Sequence, residues 1–126
     1  MSSNGLCPCQ RTQVVIALGS NHLQSVNMHW GAERLKSMLT ITCMSRRLWT
    51  MDVKNTGCWY MNQLVTATTD MEFDELERRL KAIEQESQRT TQHVTLDLDI
   101  LLYDTTRYHE KDWSRPYVQQ LLPDLK

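Results

Sequence analysis

Two aspartates set one residue apart in an otherwise apolar run are the residues best placed to do chemistry. They are Asp97 and Asp99 of Thr95-Leu96-Asp97-Leu98-Asp99-Ile100-Leu101-Leu102-Tyr103. In an extended strand successive side chains point to opposite faces, so Thr95, Asp97, Asp99 and Leu101 share one face and Leu96, Leu98 and Ile100 the other. A strand this apolar belongs within a sheet. Two carboxylates about 7 Å apart on one of its faces repel each other and are poorly solvated unless a positive charge sits between them. Magnesium suits that place, because it takes carboxylate oxygens octahedrally and keeps waters and substrate phosphates as its other ligands. The alternative is a pair of aspartates on the wet face of an edge strand.

The elements that must position them come from a chain of 126 residues, 40% hydrophobic and 23% charged. That describes one ordinary soluble domain with room for a core. A formal net charge of -1 and the lack of a basic tract argue against a nucleic-acid partner, so any phosphate binding is local. Apolar runs such as Val14 to Leu18 are far too short to span a membrane, and Met1 to Thr12 lacks the charged-then-apolar pattern of a leader. A cytoplasmic monomer is expected. Of the four cysteines, Cys7 and Cys9 lie in a polar N-terminal stretch and Cys43 and Cys58 in strand-like runs, which favours free thiols. Cys7-Pro8-Cys9 lacks the two further ligands of a closed zinc site.

Residues 1–12 read as a flexible N-terminal extension and residues 13–126 as a single domain. Gln13 to Leu18 reads as a buried first strand ending at the Gly19-Ser20-Asn21 turn. Met28, Ala32, Leu35 and Met38/Leu39 recur at helical spacing behind Ser25 or Asn27 as N-cap. Ile41 to Thr50 suits a strand, Asp52 to Gly57 a loop, and Cys58 to Thr68 a clearer strand. In the latter, Trp59, Met61, Val65 and Ala67 share one face and Tyr60, Asn62, Leu64 and Thr66 the other. Asp70 to Arg89 reads as a second helix, with Phe73, Leu76, Leu80 and Ile83 on one stripe and acidic residues in its first turns. The Asp97/Asp99 strand, a polar loop and a short tail from Arg115 follow. The order β-α-β-β-α-β predicts an α+β, ferredoxin-like split βαβ fold, an antiparallel sheet with helices on one face. Both aspartates are then expected to share a cleft with Asn62 and Tyr60 on the sheet face away from the helices. Trp30, Trp49 and Trp59 are expected in the core.

Over residues 13 to 118 the chain resembles the 6-hydroxymethyl-7,8-dihydropterin pyrophosphokinases of folate synthesis. The matching stretches are Val15-Ile16-Ala17-Leu18-Gly19-Ser20-Asn21, Thr50, Tyr60-Met61-Asn62, Ile83-Glu84, Arg89, Leu96-Asp97-Leu98-Asp99-Ile100-Leu101, and His109 with Arg115 six residues on. The resemblance implies transfer of the two terminal phosphoryl groups of ATP, as a unit, to the hydroxymethyl group of a reduced pterin, with release of AMP. It implies Asp97 and Asp99 holding two magnesium ions, which suits a reaction governed by positioning and charge neutralisation. Arg89 joins them as a catalytic cation. Thr50, Tyr60, Asn62 and Tyr117 are implied around the pterin, aromatic groups for its faces and an amide for its edge. Glu84, Arg89, His109 and Arg115 are implied at the nucleotide.

The departures from the family pattern are specific. Only Thr90 to Leu96 lie between Arg89 and Asp97, where the family has a longer loop with a tryptophan and then a Pro-Arg pair. His93 and Val94 stand in place of that proline and arginine, and Met51 in place of the proline after the threonine. Loss of one such cation costs about 3 kcal/mol of barrier in comparable sites. Two further readings therefore stand beside a slow pyrophosphokinase: a paralogue that binds nucleotide or pterin without turnover, and an interaction domain.

Overall fold

In the computed structural model the described residues are 11–51 and 57–125. Cys7, Cys9, residues 1–10 of the extension and most of the expected 52–57 loop lie outside them. The elements are β1 (Thr12–Ser20), α1 (Gln24–Met38), β2 (Thr40–Met44), β3 (Leu48–Met51), β4 (Trp59–Thr69), α2 (Phe73–Glu86), β5 (Asp97–Tyr103), β6 (Thr106–Arg107), α3 (Glu110–Trp113), α4 (Pro116–Leu121) and a closing 3-10 turn (Leu122–Leu125). The strands form one antiparallel sheet in the order β2-β4-β1-β5-β6, with β3 also on β4. Counting β2 and β3 as one interrupted strand, this is the split βαβ arrangement. The α+β ferredoxin-like expectation is met.

β1 is the central strand, pairing with β4 from Thr12↔Thr69 to Ser20↔Met61 and with β5 from Val14↔Tyr103 to Gly19↔Asp97. Thr12 is thus already sheet. One sheet face carries Val14, Ile16, Leu18, Met61, Val65, Ala67, Leu98 and Ile100, packed on Met28 and Leu35 of α1 and Leu76, Leu80 and Ile83 of α2. These are the helical stripes legible in the sequence. α1 comes especially close at Gly31, where a Cβ would stand 2.8 Å from Leu96 Cδ2. Any side chain there meets a fully buried leucine.

Four features depart from the expectation. The strand from Ile41 to Thr50 is broken at Ser45, whose N–H donates to Leu64 O and whose Oγ accepts from Leu64 N–H, both at 2.8 Å. Gln63 Nε2 also donates to Ser45 O at 2.8 Å, so side chains replace the ladder at the break. α1 starts at Gln24 behind left-handed Leu23 (φ 45); Ser25 and Asn27 are inside it, and Asn27 Nδ2 donates back to His22 O at 2.7 Å. Trp49 and Trp59 are not core, being 51% and 49% exposed, because β3 is paired with β4 alone and Trp59 lies beyond the last β1 pair, Ser20↔Met61. Trp30 does pack on the core.

The fourth departure is the C-terminal region, which is a folded cover on the second sheet face. Trp113, Val118 and Leu121 pack on Val15, Ala17, Leu64 and Leu101. Trp113 Nε1 donates to Leu101 O (3.2 Å) and Tyr108 O (3.1 Å), with the Arg107 guanidinium 4.3 Å from its ring centre. A bulge between Val15 and Ile16 opposite Leu101 ends the strict alternation of β5 there. The 3-10 turn is latched at the strand break, where Arg46 N–H and NH1 donate to the two Asp124 carboxylate oxygens at 2.9 Å. Cys43 Sγ donates to Asp124 O at 3.3 Å. Cys43 and Cys58 are free thiols.

Candidate active site

Between the sheet and this C-terminal cover lies a cavity of about 850 Å³, within the range of small-molecule sites. Thr50, Tyr60, Asn62, Asp97, Asp99, Arg115 and Tyr117 all line it. Seven residues drawn from four separate parts of the chain therefore meet in one place, with both aspartates on the sheet face away from α1 and α2.

β4 and β3 supply the amide wall. Thr50 and Tyr60 are cross-strand partners, and Asn62 Nδ2 donates to Thr50 Oγ1 at 2.7 Å. Since that hydroxyl oxygen accepts, its own hydrogen is left to donate, while Asn62 keeps its carbonyl oxygen as acceptor. Gly19 opens the space beside them: a Cβ there would sit 3.6 Å from Asn62 Oδ1 and 3.9 Å from Tyr60 Cδ2. Tyr117 is half-buried at the start of α4, where Pro116 occupies the first helical turn. Burial, and then the nearby Asp112 carboxylate, push its phenol up to about 12, so it stays a neutral donor.

The acidic wall lies at the sheet edge. Asp97, Asp99 and Glu84 offer oxygens all within 4.8 Å of one another. Glu84, expected at the nucleotide, is 5% exposed, and its Oε2 accepts from Leu98 N–H at 2.7 Å. Among the described residues β5 has no neighbouring strand on that side at Leu98, so a carboxylate from α2 completes the backbone there and reaches the aspartates round the edge. Burial foremost, and then the Asp97 charge, push Asp99 up to about 7. Burial also raises Glu84, against the Leu98 hydrogen bond.

Basic side chains stand around this cluster. Arg89 NH1 lies 3.2 Å from Asp97 and 3.3 Å from Glu84. His109 Nε2 lies 3.8 Å from Asp99, presented by a left-handed backbone at φ 56. Arg115 Nε donates to Asp112 Oδ1 at 2.7 Å. Glu84, Arg89 and His109 thus stand behind the aspartates, not on the cavity lining. Two charged neighbours escaped the sequence reading. Asp112 lines the cavity, and Lys81 Nζ lies 3.5 Å from Glu84 and 3.8 Å from Asp99. The three-residue spacings Lys81–Glu84 and Asp112–Arg115 were the available signals, but each reads equally well as a solvated helix pair.

The segment before β5 forms another wall. Thr91, Gln92 and Val94 line the cavity with Asn21. Val94 N–H donates to Asn21 Oδ1 at 2.8 Å and Asn21 N–H to Val94 O at 2.9 Å. The His22 and His93 rings meet beside them at a tilt of 35°, 4.0 Å between centres. Gln92 and His93 N–H groups both donate to Thr90 Oγ1.

Fold and cavity together define an antiparallel α+β protein with an acidic sheet-edge cluster facing an amide and aromatic wall. Residues 15–126 match the sequence profile of the 7,8-dihydro-6-hydroxymethylpterin-pyrophosphokinase (HPPK) family, and the chain belongs to that family. Searched against curated proteins, the chain has no match. No helix among the described residues is long and apolar enough to cross a membrane.

Proposed function

We propose that this chain transfers the terminal two phosphoryl groups of ATP to the hydroxymethyl group of a reduced pterin. The new bond joins the hydroxyl oxygen to the β-phosphorus, and the bond from that phosphorus to the α-bridging oxygen breaks, so AMP leaves with the bridging oxygen. The observation that carries the reading is the meeting of Asp97 and Asp99 with Thr50, Tyr60, Asn62 and Tyr117 in one cavity, in a chain of this family.

The donor set suits magnesium: hard carboxylate oxygens, close together, with an open cavity for waters and phosphates. Asp97 and Asp99 would hold two such ions, whose chemistry is to neutralise the triphosphate and align it with the hydroxyl. The remaining work falls to side chains. Tyr60 and Tyr117 offer aromatic surface to a flat ring system, Thr50 a donor and Asn62 an acceptor to its edge. Arg115 from the cover and Arg89 behind the aspartates set the positive field for the phosphates, and His109 offers them a ring nitrogen.

A second reading, a module that binds these ligands without turnover, draws support from Val94, which puts an apolar side chain into the cavity wall where the family carries an arginine. One assay separates them: AMP release from ATP and magnesium, with and without 6-hydroxymethyl-7,8-dihydropterin. Pterin-dependent AMP is the expected result. Binding of both ligands with no AMP would establish the second reading, and Asp97→Ala or Asp99→Ala should abolish magnesium-dependent nucleotide binding in calorimetry under either.

A further inference from the structure

The acidic cluster is served by two permanent cations from the α2 side, and they are held differently. Arg89 hydrogen-bonds to Asp97 with NH1 at 3.2 Å. Lys81, one turn before Glu84, lies between Glu84 and Asp99 at 3.5 and 3.8 Å, at or beyond hydrogen-bond reach. Its side chain is 48% exposed. A compact ammonium on a flexible four-carbon stem, loosely held and half in water, exchanges partners at little cost. On the cavity wall before β5, Val94 supplies no charge. A triphosphate added to three carboxylates leaves a negative surplus that two divalent ions do not cancel, so each permanent cation within reach counts.

We propose that Lys81 is the exchangeable cation of this site. Without nucleotide it neutralises Asp99 and Glu84; when divalent cations take the aspartates, the ammonium turns to the nucleotide's phosphates and does part of the work of the arginine missing at Val94. The inference rests on the proposed function and goes beyond it, since it gives a residue at the sheet edge two alternating partners.

Exchange has a signature that a fixed brace lacks, because the same substitution must move two affinities in opposite directions. Manganese is the probe for metal alone, titrated by electron paramagnetic resonance, and the magnesium complex of α,β-methylene ATP is the probe for nucleotide, titrated by calorimetry. Lys81→Gln should bind manganese about threefold more tightly or better, its competitor being gone, and the nucleotide complex about tenfold more weakly. Lys81→Arg should restore nucleotide affinity. Unchanged nucleotide affinity in Lys81→Gln would overturn the inference while leaving the proposed function standing. Both affinities falling together, with a lower thermal midpoint, would mark Lys81 as a structural brace and overturn it equally. Failure of the unaltered chain to bind the nucleotide complex would overturn both readings.

Discussion

Asp99 is the least comfortable charge in the cavity wall, and its position has a measurable thermodynamic cost. Its pKa stands at about 7 in the folded chain against an ordinary 3.8, so between those values the folded state holds a proton that the unfolded chain has released. The resulting stability is fully present below the unfolded value and is lost as pH rises to about 7. In metal-free protein the denaturant stability of the native chain relative to Asp99→Asn should therefore decline from pH 5 to pH 7 and level off above. A difference that does not vary with pH would mean that Asp99 ionises normally. At this scale the sequence was most legible where chemistry demands rare residue types at fixed spacing: Asp97, Asp99, Asn62 and Tyr60 all meet as expected. The way Glu84 joins the pair was not legible, because a helix-end carboxylate reaches it round the strand edge at Leu98, and no local pattern encodes that.

At the scale of elements, α2 and the three long strands were legible because each is long enough to show its period. The break at Ser45 was not, since it depends on a hydroxyl standing in for backbone against Leu64, 19 residues away in sequence. Nor were α3 and α4. Helices of four and six residues carry too little periodicity to recognise and too little stability to form without a surface such as the one Trp113 docks on. Under the proposed function, the segment from Gln88 to Leu96 is the element expected to bear on rate. Its tie to Asn21 fixes the backbone at Val94, whose side chain lines the cavity. Val94→Arg should thus place a guanidinium in the cavity without rebuilding the chain, and raise AMP release at saturating substrates by about tenfold. Pterin affinity should hardly change. A folded variant with unaltered turnover would show that this wall lies too far from the phosphates to matter.

Taken whole, the molecule is a sheet clamped between two unlike layers, and the cavity exists because the thinner layer is fastened at both ends. Trp113 anchors one end and Asp124 the other, with Arg115 and Tyr117 between them. Asp124→Ala should cost about 1–2 kcal/mol of stability in denaturant titration and weaken pterin binding several-fold by loosening Tyr117. Stability lost with pterin affinity intact would show that Trp113 alone sets the cover. Glu84 has a bearing on solubility as well. An unpaired strand edge with free N–H groups is a template for another chain, and proteins that stay dispersed blunt such edges. At Leu98 the blunting is done by the Glu84 carboxylate, which occupies an N–H beside the aspartates that a foreign strand would otherwise seek. A chain stripped of that carboxylate would lose a site neighbour and gain a sticky edge at once, so self-association belongs beside ligand affinity in the characterisation of any Glu84 variant.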